Sequence, residues 1–421
     1  MSPGSKASKM QEKASGDDED CLSALPEDIL NYILSFLSSR ELVQGTCLLA
    51  RKWRNRWKSM PVLRVSEDDI FENAHEMNKF VNHLIFHRGP NTLVECEIYM
   101  GHIDDTFGYV DLWARYAMSC EVQILCIIID LPDGWCPLPT KLLVSDHLTT
   151  LELWRMQLVE PLLDFSRCSA LQELKIIHSS LNVRHIISPS VKRLRIQECR
   201  FLGDARARIS APNLIVFELV SFSGCTPFLD NMPQLVSASI CHEEDSRDCC
   251  RSKFEIGGCA DVSCQGCAHN RGEGNKSVSL EGLSHALHLQ LLTSKVEMFI
   301  FRRDLTLCPV FCKLKTLIIN DWCMVANVHA LIVFLQHSPV LEKLTLLISE
   351  ADEGEVAKGA KYEGAQQPFD FKQLTVEVEC FKISERIKKN LKVLTTFGVP
   401  PGQIKIHQSS MGGFCSFASD Y

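Results

Sequence analysis

The residues best suited to metal chemistry lie together in one polar stretch of the chain. This cluster consists of Cys249, Cys250, Cys259, Cys264, Cys267 and His269. Cys264 and Cys267 have the Cys-x-x-Cys spacing of half a tetrahedral zinc site. A second Cys-x-x-Cys or His-x-x-x-His pair at zinc-finger spacing is missing. Cys249, Cys259, Cys264, Cys267 and His269 are therefore weak metal candidates, and we expect no cofactor.

Motifs for catalysis are not found elsewhere. The sequence has no G-x-S-x-G, H-E-x-x-H or G-x-x-x-x-G-K-[ST] pattern. The run from Gly272 to Ser277 superficially resembles a phosphate-binding loop, but its first glycine is misplaced and no apolar strand precedes it. We therefore predict no catalytic residue and no enzymatic activity on this chain.

Composition limits the class of protein. The 421 residues are 46% hydrophobic and 23% charged, with a net charge of −8 that argues against a general nucleic-acid binder. There is no 18-residue apolar run and no apolar N-terminal stretch, so we expect neither a membrane span nor a secretory signal. The 20 cysteines are then expected to stay reduced, in the cytoplasm or the nucleus.

Residues 22–57 have the pattern of three short helices with surplus apolar surface. Pro26 suits the first helical position, and Glu27 and Asp28 follow in the first turn, where negative charge is favoured. At about 100° per residue, the apolar residues of this helix sweep roughly 200°, twice what one small core needs. A second helix fits Arg40–Leu49, and a third fits Ala50–Ser59. The surplus face requires another surface, either in this chain or in a partner.

This segment resembles an F-box, the domain that docks on the Skp-type adaptor of SCF ubiquitin ligases. The resemblance rests on Leu25-Pro26, the apolar positions of the first helix, the run Arg51–Arg54 and Trp57. It implies a set of adaptor-binding residues: Leu25, Pro26, Ile29, Leu30, Ile33, Phe36, Leu37, Leu42, Trp53 and Trp57. Leu42, Trp53 and Trp57 either close the small core or share the interface.

A basic cluster at the end of this segment has two interpretations. It comprises Arg51, Lys52, Arg54, Arg56 and Lys58. These charges alternate with Trp53 and Trp57, so we interpret them as the solvated face of an amphipathic helix rather than a nucleic-acid site. They also have the charge to meet acidic residues of the adaptor, which would accelerate encounter.

The long middle of the chain repeats the pattern apolar-x-x-apolar-x-apolar. The first anchors of consecutive clear copies are 23, 20, 23 and 21 residues apart, within the range of leucine-rich repeats. This spacing leaves too little room for a full crossover helix between strands. The copies are Leu93/Cys96/Ile98, Val122/Leu125/Ile127, Leu148/Leu151/Leu153, Leu171/Leu174/Ile176, Val191/Leu194/Ile196, Leu214/Phe217/Leu219, Leu235/Ala238/Ile240, Ala286/Leu289/Leu291, Leu314/Leu317/Ile319, Leu341/Leu344/Leu346 and Phe371/Leu374/Val376.

These copies predict an α/β fold in which the F-box helices precede an irregular leucine-rich-repeat solenoid with a parallel sheet. Runs such as Ser188–Leu194, Ile300–Leu305 and Leu335–Leu344 resemble the plant F-box/leucine-rich-repeat family. The stretch from Phe371 to Ile406 is similar to the FBD segment that often closes such proteins, with the order strand, helix, strand. In the region before this segment, Arg302-Arg303-Asp304 is interpreted as a polar turn.

The predicted organisation has six parts. They are a disordered tail (1–19), the F-box (20–62), a linker or start of the solenoid (63–90), the solenoid (91–350) with a cysteine-rich polar insert (242–279), a polar linker (351–368) and an FBD-like segment (369–421). The Val65–Met77 linker is short and partly charged, which favours a fixed geometry between F-box and repeats.

The family resemblance implies a non-catalytic substrate-recognition subunit of an SCF-type E3 ubiquitin ligase. The expected partners are the Skp-type adaptor, through it a cullin and a RING-bound ubiquitin-charged enzyme, and an unknown target protein, with no nucleic acid and no membrane. One alternative is a leucine-rich-repeat scaffold outside any ligase, with the F-box as a solenoid cap. Another is a zinc-dependent module centred on 249–269.

Overall fold

The computed structural model describes most of the helices and strands of the chain. The described residues are 25–48, 53–66, 71, 73–101, 107–130, 135–138, 144–159, 162–203, 205–248, 277–294, 300–324, 328–348 and 373–408. Within them no helix is long and apolar enough to cross a membrane.

The helices cluster near the two ends of the chain. They are α1 (Glu27–Leu34), α2 (Ser39–Leu48), α3 (Ala74–Arg88), α4 (Phe107–Ser119), α5 (Ile300–Asp304), α6 (His329–Gln336) and α7 (Glu385–Thr396). Short 3₁₀ turns occupy Arg56–Ser59, Leu305–Leu307, Asp321–Cys323 and Pro401–Gln403.

Strands extend along nearly the whole described chain. They are β1 (Val62–Ser66), β2 (Glu95–Met100), β3 (Ile124–Ile129), β4 (Cys136–Pro137), β5 (Thr150–Trp154), β6 (Met156–Leu158), β7 (Leu162–Asp164), β8 (Glu173–Ile177), β9 (Ser180–Leu181), β10 (His185–Ile187), β11 (Arg193–Gln197), β12 (Arg200–Phe201), β13 (Arg208–Ser210), β14 (Val216–Gly224), β15 (Phe228–Leu229), β16 (Ser237–Ser246), β17 (His288–Thr293), β18 (Thr316–Asn320), β19 (Lys343–Ile348), β20 (Thr375–Cys380) and β21 (Ile404–Gln408).

One series of strands, which we call the main ladder, forms the backbone of the fold. Its members are β1, β2, β3, β5, β8, β11, β14 and β16 to β21, and each pairs in parallel with the next. The ladder lies in a 17-stranded sheet, and a separate four-stranded sheet consists of β7, β10, β13 and β15. The predicted α/β class with a parallel sheet is therefore confirmed.

The predicted repeat anchors meet one another across the ladder. Leu151 faces Leu174, which faces Leu194, and the same alignment continues to Leu344. The anchor residues point to one side because side chains alternate along a strand. Those from Leu93 to Leu346 are all buried, so one apolar core runs along the ladder.

The last predicted copy is wrong in its register. Val376 lies opposite Leu344 and Val378 lies opposite Leu346, so the anchors fall two residues later than predicted. The run Leu374–Val378 alternates apolar and polar residues, and all its apolar residues share one face. The periodicity alone therefore cannot fix where the copy begins.

Repeat length decides what returns the chain from one ladder strand to the next. Between β5 and β14, where copies are short, the described return segments hold only short strands such as β6 and β7. Where copies are longer, helices return the chain: α3 and α4 near the start, and α5, α6 and α7 near the end. This pattern agrees with the expectation that a 22-residue repeat has no room for a crossover helix.

Buried polar side chains join neighbouring repeats. The Cys199 thiol contacts the carbonyl of Ile176 at 3.3 Å and accepts from the N–H of Ser179 at 3.4 Å. Asn320 makes two bonds to the backbone of Thr293, at 2.7 and 3.1 Å. Because buried backbone groups without partners are costly, these side chains stabilise the stacking of adjacent repeats.

Asp304 corrects the interpretation of residues 302–304 as a polar turn. It ends α5, is 1% exposed and accepts hydrogen bonds from the backbone N–H groups of Val278, Ser279 and Leu280 at 2.7–3.2 Å. The Ser277 hydroxyl donates to it as well. Asp304 is thus an internal anchor for the segment that leads into β17.

Candidate functional site

Helix α1 exposes most of its apolar side chains. Ile29, Tyr32, Ile33 and Phe36 leave between 44% and 66% of their surface exposed, and the Tyr32 and Phe36 rings contact edge to face at 5.0 Å. We define the docking face as Leu25, Pro26, Ile29, Tyr32, Ile33, Phe36 and Leu37, all of them exposed. Contiguous apolar surface of this kind marks interaction sites on soluble proteins.

The same helix buries a narrow stripe on its other side. Leu30 is 6% exposed, and Leu34 packs partly buried against the core. At 100° per residue these two positions lie together, about 100° to 140° from Ile29. The arc of roughly 200° seen in the sequence is thus divided between a small inner stripe and a large outer face.

The structure separates the ten predicted adaptor-binding residues into two groups. Leu25, Pro26, Ile29, Ile33, Phe36 and Leu37 lie on the docking face, whereas Leu30, Leu42, Trp53 and Trp57 are buried within the chain. For Leu42, Trp53 and Trp57 this corresponds to the expectation that they close the core. Leu30 has almost no surface left for a partner because it lies on the inner stripe.

Two exposed apolar residues were missed by sequence reasoning. Tyr32 belongs to the docking face, and Leu48 at the end of α2 is 88% exposed. Tyr32 falls in the apolar arc of α1, so the helical periodicity already contained its signal. Leu48 carries no comparable signal, because an apolar residue at the end of a helix is as often buried as exposed.

The start of α1 is fixed by Pro26 and by an arginine from the following segment. Pro26 lies one residue earlier than predicted: it precedes the helix, and its carbonyl accepts from the N–H of Leu30 at 3.1 Å. Arg56 donates to the carboxylate of Glu27 at 2.9 Å and to the amide oxygen of Asn31 at 3.1 Å. Arg56 therefore fastens the polar edge of α1 to the segment that follows α2. We call residues 25–48 and 53–60, which contain α1, α2 and the 3₁₀ turn Arg56–Ser59, the helical module.

A capping box begins α2 immediately after the docking face. The Ser38 hydroxyl accepts from the N–H of Glu41 at 3.2 Å, and the Glu41 carboxylate accepts from the N–H of Ser38 at 3.0 Å. Two otherwise unpaired N–H groups are satisfied by this exchange. The chain reversal that presents Phe36 and Leu37 is therefore held by local hydrogen bonds.

The predicted third helix, Ala50–Ser59, is wrong over its described part. Residues 53–55 form a turn, and Arg56–Ser59 is a single 3₁₀ turn in which N–H groups bond to carbonyls three residues back. Pro61 disfavours the α conformation at Met60, whose φ and ψ are −63° and 135°. Trp53 and Trp57 are still both buried, with 4% and 8% of their surface exposed.

The helices of this module share their core with the main ladder. Leu42, Trp57 and Met60 belong to the same buried cluster as Leu63 and Val65 of β1. β1 itself extends the repeat pattern upstream, since Leu63 faces Cys96 and Val65 faces Ile98. Sequence reasoning missed this copy, although Met60, Leu63 and Val65 have the repeat spacing.

Buried Arg88 connects the module to the first repeats. The residue is 3% exposed, and its guanidinium donates to the carbonyls of Met60, Asn91 and Thr92 at 2.7, 2.7 and 3.2 Å. It also donates at 3.1 Å to the hydroxyl of Tyr116, whose pKa burial raises to about 12. The neutral Tyr116 in turn donates to the carbonyl of Gly89 at 2.7 Å.

The weak metal candidates cannot be placed. Cys249, Cys259, Cys264, Cys267 and His269 all lie outside the described residues. Among the residues that the structure does describe, no group of three or more His, Cys, Asp or Glu side chains is arranged to hold a metal ion. The described cysteines form no disulfide and are mostly buried, and burial raises the pKa of thiols such as Cys199 and Cys136 to about 12.

The basic cluster is only partly described. Arg51 and Lys52 lie outside the described residues, Arg54 is exposed, and Lys58 lies 5.5 Å from the centre of the Trp57 ring. Arg56 is occupied by its bonds to α1. Of the described members only Arg54 is exposed, and the helix that was expected to carry this face is absent from residues 53–59.

Comparison with known proteins gives two kinds of match. Residues 22–64 match the F-box domain. Over about half of its length the chain is similar to proteins of Arabidopsis thaliana. A putative FBD-associated F-box protein is 29% identical over 265 residues, covering 52% of this chain and 59% of the relative.

Two further relatives agree with this match. An FBD-associated F-box protein of the same organism is 28% identical over 254 residues, and the match covers 52% of this chain and 59% of that relative. An F-box/FBD/LRR-repeat protein of the same organism is 26% identical over 254 residues, and the match covers 52% of this chain and 60% of that relative. The match thus spans less than two thirds of these relatives. The resemblance of this chain to plant F-box/leucine-rich-repeat proteins with an FBD segment is confirmed.

Proposed function

We propose that this chain is the substrate-recognition subunit of an SCF-type E3 ubiquitin ligase. The docking face binds a Skp-type adaptor, through which the chain joins a cullin and a RING-bound ubiquitin-charged enzyme. The main ladder, as the sheet of a leucine-rich-repeat solenoid, binds the target protein. The chain itself carries out no chemical step.

The observation that carries the proposal is the division of α1 into two faces. Leu30 is buried and Leu34 packs against the core, yet Ile29, Tyr32, Ile33 and Phe36 remain at the surface. At about 25 cal/mol per Å², large side chains of this kind favour burial. An F-box match over the same residues supports an adaptor as the partner that covers them.

The shared core supports a mechanism based on proximity. Because Trp57, Met60 and Leu63 belong to one buried cluster, the docking face and the ladder have a fixed relative position. A target held on the ladder is then held at a defined distance from the adaptor. Positioning alone raises the effective concentration of target lysines near the charged enzyme.

Co-expression with a Skp-type adaptor tests the proposal. The double substitution Ile33→Ala with Phe36→Ala removes exposed side chains, so we expect the fold to be retained while affinity for the adaptor falls about a hundredfold. Binding is measured by titration calorimetry on purified proteins, and folding by circular dichroism. The matched control is Phe381→Ala, which removes a phenylalanine that is 57% exposed but far along the chain.

Either of two results would contradict the proposal. One is wild-type affinity in the double variant, which would place the adaptor elsewhere. The other is an unmodified protein that is a stable monomer and ignores the adaptor. An equal loss in Phe381→Ala would show that the effect reflects general surface hydrophobicity.

A scaffold function outside any ligase is the second candidate, and one observation favours it. The helical module lies over the first ladder strand and shares its core, as a solenoid cap would. The two functions are distinguished by purifying the tagged protein from plant cells. Recovery of a cullin that depends on Ile33 and Phe36 supports the ligase subunit; its absence, with target proteins still recovered, supports the scaffold.

A further inference from the structure

Strand β21 is the last strand of the ladder among the described residues, and no described strand covers its outer edge. Among the described residues it pairs only with β20, and four of its five residues are exposed. Ile406 faces the same side as the buried anchor Val378 but is 40% exposed, because no described strand continues the stack. An edge strand of this kind presents a row of backbone N–H and C=O groups that can pair with another strand.

The pairing of β21 with β20 shows which side chains lie next to one another across the two strands. Ile404 and Ile406 lie opposite Val376 and Val378 on one face of the sheet. On the other face Lys405 lies opposite Glu377, and His407 lies opposite Glu379. The pKa of Glu377 is lowered, first by a hydrogen bond from Lys343 and further by the charges of Lys405 and His407.

A second strand laid along the uncovered side would meet these same side chains. Its apolar residues would extend the stripe of Ile404 and Ile406, and its acidic residues would pair with Lys405 and His407, in the alternation of a β-strand. Lys405 and His407 are both exposed, so acidic residues of an added strand can reach them.

We propose that β21 is a docking edge for an extended segment of a partner protein in which apolar and acidic residues alternate. The recognition is strand addition, with backbone hydrogen bonds giving affinity and alternate side chains giving specificity. The site is separate from the docking face on α1, so it stands whether or not the chain joins a ligase.

A second copy of this chain does not fit the same edge. The strand with the required alternation, Thr375–Cys380, is already paired inside the ladder with β19 and β21. If two β21 edges paired with each other, Lys405 of both copies would lie on one face, where like charges destabilise the pairing. The occupant that we propose is therefore a segment of a different protein, and self-association is an outcome of the test.

Peptide binding to the purified full chain tests the proposal. The probe is a fluorescein-labelled peptide T-V-E-V-E-S, which copies β20 with serine in place of Cys380, and the control is T-V-K-V-K-S. Because opposite charges across a strand pair stabilise it and like charges destabilise it, we expect the acidic peptide to bind about tenfold more tightly by fluorescence anisotropy. Hydrogen exchange of residues 404–408 should slow when it binds.

The matched variant is Lys405→Gln with His407→Gln, which removes the Lys405 charge and the His407 imidazole without placing like charges against β20. It should bind the two peptides within about twofold of each other, with an unchanged circular dichroism spectrum. Failure of the acidic peptide to bind would overturn the proposal, as would equal affinity for both peptides in the unmodified protein. Concentration-dependent dimerisation that is lost in the variant would show instead that the edge pairs copies of this chain.

Discussion

The terminal strands at the two ends of the main ladder, β1 and β21, differ in how far the described chain covers them. At the first end the helical module lies over β1, and Leu63 is 5% exposed within the shared core. At the other end, within the described chain, β21 has a neighbour on one side only, and Ile406 at an anchor position is 40% exposed. A stacked repeat cannot bury its apolar face alone. Within the described residues, therefore, the chain covers one terminal face with its own helices, whereas no described residue continues the stack at the other.

The largest effect is expected at the covered end, from Arg88→Met. The change keeps an apolar stem but removes the donors to the buried carbonyl of Met60 and to the partly buried carbonyls of Asn91 and Thr92. Unpaired buried acceptors cost about 1–3 kcal/mol each, so we expect the free energy of unfolding in urea to fall by about 3 kcal/mol. Arg184→Met, at an exposed arginine, should change it by less than about 0.5 kcal/mol. Equal effects would mean that Arg88 does not join the module to the repeats.

A matched pair of truncations tests the comparison directly. Leu63→Ala at the covered end should cost about 3 kcal/mol of unfolding free energy, in the range for buried leucines. Ile406→Ala at the open end should cost about 1 kcal/mol, because much of that side chain is already in contact with water. Urea titration of both variants measures the difference. Similar costs would show that β21 is as well covered as β1 in solution.

The middle of the ladder should lose stability between pH 7 and 5.5 because it contains a buried histidine. His242 on β16 is fully buried, with its ring 4.3 Å from that of Phe222, and burial lowers its pKa to about 3. The unfolded chain takes up this proton below about pH 6.5, whereas the folded chain does not until about pH 3. The stabilisation is therefore complete above pH 6.5 and is lost as the pH falls. Between pH 7 and 5.5 the loss should be about 1 kcal/mol.

The variant His242→Phe checks this pH dependence. It should lose about 1 kcal/mol less than the unmodified protein between pH 7 and 5.5, measured by urea titration at both values. Hydrogen exchange at pH 5.5 should show β16 and its neighbours opening before β1 or β21. An identical pH dependence in both proteins would exclude His242 as the source.

The smallest effects are expected at the helix caps, one at each end. Ser38→Ala breaks a capping box with two hydrogen bonds, and should cost about 1 kcal/mol. Ser384→Ala removes one bond, from the N–H of Ile387 at 3.3 Å, and should cost about 0.5 kcal/mol. Thermal unfolding under one buffer compares them. A larger effect at Ser384 would reverse the order and count against the capping box.

Much of the ladder was predictable because its signal is periodic. From Leu93 to Leu346 the spacing of apolar anchors gave strands that the structure pairs in the predicted alignment. The C-terminal order of strand, helix, strand was also predicted, and is found as β20, α7 and β21. β1 was missed because Met60, its first anchor, was assigned to the helical module. The register of β20 was missed because Leu374, Val376 and Val378 are equivalent by pattern alone.

The candidate site was predictable in part. Helical periodicity identified the apolar arc of α1, but it could not tell which portion the chain itself covers. That division depends on the position of residues such as Leu42 and Trp57, which belong to one buried cluster only in the folded protein. The hydrogen bonds from buried Arg88 to Met60 and Tyr116 could likewise not be predicted from the sequence. Each partner lies 28 positions from Arg88, and their proximity depends on the whole fold.

The core that the module shares with β1 has a consequence for how this chain is best studied. Deleting residues up to Pro61 would remove Leu42, Trp57 and Met60, and would uncover Leu63 and Val65 together with the outer edge of β1. An uncovered edge strand with apolar flanks is an aggregation hazard. Loss of function in a protein truncated at Pro61 could therefore result from misfolding as readily as from loss of adaptor binding. Point changes at exposed Ile33 and Phe36 separate the two effects, and they are the sounder design for a dominant-negative form.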